Sequence, residues 1–159
     1  MNGAHLHLLL NHIPVLGTFF GLALLAFAAW KRSDELRKAA LGTFFIVALA
    51  ATAAYLTGEP AEDVVKGLPG IPRPLISRHE DAAGIALAGS IALGVLALGG
   101  LIWLRWGRQI KPWFSTLALA AAIIVTGLMA WTANLGGQIR HTEIRPDAVP
   151  LTSSQSDRS

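Results

Sequence analysis

Five histidines are the most versatile side chains in the sequence, and their spacing is uneven: His5, His7 and His12 fall within "HLHLLLNHIP", with His79 and His141 far downstream. A neutral imidazole can ligate zinc, iron or copper, or bind a haem iron axially. The absence of cysteine excludes disulfides, thiolate metal sites, iron–sulfur ligation and covalent haem attachment through C-x-x-C-H. Any metal or haem is therefore held by nitrogen and oxygen donors.

At about 3.6 residues per turn, His5 and His12 share a helix face and His7 is turned away. His12 is the deepest of the three. Pro14 either opens its helix or kinks it, leaving the Leu10 carbonyl in need of a partner, so polar company is expected near His12. In "SRHED", a capping box from Ser77 to Glu80 puts His79 in a first helical turn, where the dipole favours a neutral ring. Trp131, Asn134, Gln138 and His141 share one face if the last helix runs on through Gly136 and Gly137.

These placements predict a site built on His12, His79 and His141, with Asn134 and Gln138 beside it. Arg78 and Arg140, with Arg145, suit haem propionates. Glu59 and Glu80 provide carboxylates for a mixed nitrogen and oxygen site that takes a Zn, Fe or Cu ion. Plainer roles compete. His5 and His7 can rest among lipid headgroups, and Glu80 can serve only as a cap. Glu59, Glu62 and Asp63 suit the first turn of a short helix. Asn134 and Gln138 can bond between helices without any ligand. No nucleophile is paired with a base and no phosphate loop is present, so no enzyme is asserted.

The elements that must position these groups are apolar. Of 159 residues, 53% are hydrophobic and 14% charged, with mean hydropathy +0.50. Four runs, 13–30, 39–56, 82–104 and 113–135, contain no Asp, Glu, Lys or Arg. Each can cross about 30 Å of hydrocarbon as a helix, and their lack of polar alternation argues against strands. The expected fold is an all-α four-helix transmembrane bundle, residues 1–145, with spans near 13–30, 36–57, 79–104 and 113–135 and both termini on the same side. Residues 58–78 form an ordered surface loop that includes a short helix over "PAEDVVK". Residues 146–159 are expected to be a disordered polar tail.

"KRSDELRK" reads as a tight turn in which Ser33 caps the second span and Asp34 and Glu35 complement its positive end. The four basic residues of that turn and Arg105, Arg108 and Lys111 of the other short turn place both turns in the cytoplasm. The other face carries Lys66, Arg73, Arg78, Arg140, Arg145 and Arg158, so loop density rather than total charge decides the orientation. All five histidines then lie on the non-cytoplasmic side of a bacterial inner membrane. With no Lys or Arg ahead of the first run, a cleaved signal peptide is not expected. The sequence pI near 9.8 reflects these flanks rather than a nucleic-acid patch.

His7 and His12, five apart and followed by Pro14, together with His79, Gly136, Gly137 and His141, resemble a widespread family of uncharacterised four-helix bacterial membrane proteins. The resemblance covers residues 5–143 and is strongest in "GEPAE" and "TANLGGQIRH". Leu8 departs from it, standing where a proline often follows the first histidine. Members occur alone or joined to c-type cytochrome domains, which implies electron transfer.

Three functions follow as expectations. The first is a b-type haem protein taking part in electron transfer, partnered by a c-type cytochrome or by other subunits of a respiratory or redox membrane complex. The second is a non-haem metal-binding membrane protein. The third is a structural subunit with no cofactor, whose partner is chiefly the lipid bilayer. Nucleic acid is not an expected partner.

Overall fold

The computed structural model describes residues 2–146; the tail expected over 146–159 lies, beyond Pro146, outside them. Among the described residues, six helices form in order: α1 Gly3–Leu10, α2 His12–Lys31, α3 Asp34–Leu56, α4 Gly58–Val65, α5 Arg73–Arg105 and α6 Pro112–Arg140, with a 3₁₀ turn at Thr142–Ile144. Four spans long and apolar enough to cross a membrane result: Gly3–Lys31, Asp34–Val65, Arg73–Arg105 and Pro112–Arg140. The chain is thus a multi-pass membrane protein with an all-α bundle. The first span begins about ten residues earlier than its apolar run, because α1 and α2 meet at Asn11 with helical backbone angles. Pro14 opens α2 rather than kinking it, since a missing N–H costs nothing in a first turn.

Local chemistry sets the turns. Arg32 is left-handed (φ 54°) and closes α2, its N–H reaching Ala28 O and Ala29 O. Ser33 Oγ accepts from Leu36 N at 3.3 Å, and ion pairs Asp34–Arg37 and Glu35–Lys38 follow on the first turns of α3. At the other end of α3, Thr57 separates it from α4, where Pro60 has no N–H to continue the ladder. Residues 58–78 are therefore mostly helical, with loop only over 66–72.

Helix α5 departs from the expected start. It begins at Arg73 with Pro74 in its first turn, so the Ser77–Glu80 capping box is not used and His79 lies in the second turn. Proline's fixed φ suits a helix start and offsets the loss of a side-chain cap.

Around the bundle, α2 packs on α3, α3 on α5, α5 on α6, and α6 closes back on α2, while α1 rests chiefly on α4. The core is Leu25, Leu41, Phe44 and Leu93 set among Ala40, Ala86, Ala97, Ala118 and Ala122. Small residues dominate because helices in lipid associate by close packing rather than by hydrophobic burial. A Cβ on Gly94 would strike Ala48 Cβ, so α3 and α5 touch there almost backbone to backbone. Leu16, Phe20, Ile46, Leu49, Val95 and Ile124 point outward, as a lipid-facing surface requires.

Candidate functional site

One end of the bundle brings two imidazoles together across separate helices. His7 of α1 and His79 of α5 lie with ring centroids 6.5 Å apart and planes at 87°. Each is anchored through Nδ1. His7 Nδ1 donates to Ala54 O at 3.0 Å with Thr57 Oγ1 at 3.2 Å, and His79 Nδ1 donates to Thr132 O at 3.0 Å. A carbonyl only accepts, so Nδ1 carries the proton in both rings and Nε2 keeps its lone pair. Four helices thus hold the pair, with α3 orienting one ring and α6 the other.

Glycine makes the close approach possible. A Cβ on Gly136 would stand 3.0 Å from His79 Cε1, so the imidazole lies where a side chain would otherwise project from α6. Gly58 borders the other ring, its Cβ direction 3.9 Å from His7 Cε1. Gly136 thus sits at the level of the pair, and its neighbour Gly137 admits Ile144 of the 3₁₀ turn.

The convergence of His12, His79 and His141 expected from spacing is not what the structure assembles. His12 is exposed and donates from Nδ1 to Leu8 O at 2.9 Å, one turn back on its own segment. Helix α6 ends at Arg140, so His141 leaves the face of Trp131, Asn134 and Gln138 and bonds Glu143 Oε1 at 2.9 Å. Glu143, outside the spans, is held below the usual carboxylate range by its own backbone N–H and by this ring. Asn134 accepts from Gln138 Nε2 at 2.7 Å along one helix face, and both Asn134 and Trp131 are exposed.

The remaining expected groups also lie apart from the pair. Arg78 and Arg140 are exposed, whereas Arg145 binds Gln138 O, Ile139 O and Gly70 O, closing the carbonyl end of α6. Glu59 is exposed, and the exposed Glu80 carboxyl faces Glu62, acid against acid. Among the described residues, no group of three or more His, Cys, Asp or Glu side chains is placed to hold a metal ion.

His7 is the residue that spacing alone misplaces. The helical-wheel comparison tests it against His5 and His12 on its own helix, while its partner comes from α5. Thr57 and Thr132, which supply or border the orienting carbonyls, carry no signal of their own in the sequence.

No family model, curated protein or solved structure matches the chain.

Proposed function

We propose that His7 and His79 would hold a b-type haem and that the protein carries electrons within the membrane. The observation that carries this reading is a pair of imidazoles with free Nε2 atoms and, among the described residues, no third protein ligand. A zinc, copper or non-haem iron site draws three or four ligands from the protein, whereas a haem iron needs only two. The two rings are immediate neighbours, with centroids 6.5 Å apart. The donor set therefore fits the group, and Gly136 and Gly58 keep side chains from the Cε1 edges of both rings.

When bound, haem supplies a one-electron couple whose potential is set by its axial ligands and surroundings. The chain's own contribution is orientation. Ala54 O and Thr132 O fix the tautomers and spare the rings a reorientation cost on binding. Ile76 and Ala82, which flank His79 along α5, and Leu135, next to Gly136 on α6, are buried. Exposed Arg78 and Arg140 are among the cations available to propionates at this end. The resemblance to proteins joined to c-type cytochromes supports a cytochrome as redox partner.

The test is the optical spectrum of the purified protein after haem supplementation. A Soret band with sharp reduced α and β bands is expected in the wild type. It should be lost in His7→Ala and His79→Ala and retained in His12→Ala and His141→Ala. A colourless wild type, or dependence on His12 in place of His7, overturns the assignment and leaves the pair as a packing tie between helices.

A further inference from the structure

At the end of the bundle opposite the histidines, the first turns of α3 and the last turns of α5 enclose an open cleft of about 430 Å³ lined by Lys38, Leu101, Leu104 and Arg105. We propose that this cleft binds an anionic phospholipid, its phosphodiester between Lys38 and Arg105 and an acyl chain along Leu101 and Leu104. The placement rests on what surrounds it.

Four of the five tryptophans, Trp30, Trp103, Trp106 and Trp113, lie at this end and are exposed. Lys31 Nζ stands 4.4 Å over the Trp30 ring and Arg108 4.6 Å over Trp103. Tryptophan flanked by cations marks the headgroup level of a bilayer, which sets the cleft at phosphate depth with its floor toward the acyl chains. The two turns carry seven basic residues against Asp34 and Glu35. Lys38 shares its charge with Glu35 at 2.8 Å, while Arg105 has no ion-pair partner among the described residues. The cleft therefore holds a cation without an anion beside apolar walls, the complement of a lipid carrying one negative phosphate. Its guanidinium also offers paired donors to phosphate oxygens, which a zwitterionic headgroup partly satisfies internally.

The experiment uses full-length protein in phosphatidylcholine vesicles containing traces of spin-labelled lipid. One uncompensated cation at the surface predicts that spin-labelled phosphatidylglycerol is immobilised about fivefold more strongly than spin-labelled phosphatidylcholine. The preference should vanish in Lys38→Gln/Arg105→Gln and persist in Arg108→Gln/Lys111→Gln, which removes equal charge outside the cleft. Soluble glycerol phosphate should not displace the label. Three results each overturn the proposal: no preference in the wild type, equal loss in both double variants, which signals only a diffuse field, or displacement by glycerol phosphate, which signals a free-phosphate site. The wild-type lipid comparison stands even if a variant inserts poorly.

Discussion

Each imidazole of the pair is fixed by a carbonyl from a neighbouring helix, and that carbonyl decides which nitrogen remains free. Losing such an orienting contact typically weakens metal or cofactor binding by about 10- to 100-fold without removing a ligand. Gly136→Val tests this. Its Cβ would come within 3.0 Å of His79 Cε1, so the ring must swing and the bond to Thr132 O must lengthen. Haem content after detergent extraction should fall by about tenfold while helicity by circular dichroism is unchanged. Unchanged occupancy would show that the glycine serves packing alone. The 87° between ring planes leads to a second expectation. Perpendicular ligand planes leave the two iron orbitals that interact with them nearly equal in energy, so the oxidised protein should give a strongly anisotropic low-spin electron paramagnetic resonance signal. A rhombic signal of coplanar ligands would contradict the ring orientation. Of these details, His79 was legible in the sequence as a site candidate. His7 was not, because a wheel drawn for one helix contains no information about which other helix arrives beside it.

Helix ends account for most of the distance between sequence and structure. "RPLISRHED" contains two competing start signals, Pro74 and the Ser77–Glu80 box, and the proline prevails, adding a turn that carries His79 away from the terminus. At the far end of α6, "GGQIRH" looks like a stop or a continuation. It continues to Arg140 because the glycines are occupied by His79 and Ile144, and it stops there because Arg145 folds back onto the last carbonyls. Those partners lie 75 positions apart in one case, Arg145 to Gly70, and no local pattern announces them. The α3–α5 contact is the converse, since a stripe of small residues predicts close helices but not which pair. Gly94→Leu should push α5 off Ala48, with a cost of about 1–3 kcal/mol typical of overpacking. A lowered unfolding midpoint in detergent would register it. The histidine pair is several turns away, so haem content at low temperature should be retained; a variant as stable as the wild type would mean that α3 and α5 are not in backbone contact there.

At the scale of the whole molecule, four spans return the chain to its starting side, so the histidine pair and the basic turns must occupy opposite faces of the membrane whichever way the bundle is inserted. Orientation then decides which compartment the histidine pair faces. Lys31, Arg32, Arg37 and Lys38 directly after the first span are the arrangement that retains a turn in the cytoplasm. The basic residues on the other face among the described residues, Lys66, Arg73, Arg78, Arg140 and Arg145, are spread over a longer connection and the end of the last span, where their influence on insertion is weaker. Alkaline phosphatase fused after Ser33 or Arg108 should therefore be inactive, and fused after Leu68 active, because the enzyme matures only outside the cytoplasm. This outcome puts His7 and His79 where a periplasmic c-type cytochrome can reach them. The reverse pattern would leave the ligand geometry intact but turn it toward cytoplasmic donors, so the cytochrome partner would fall while the haem reading stood.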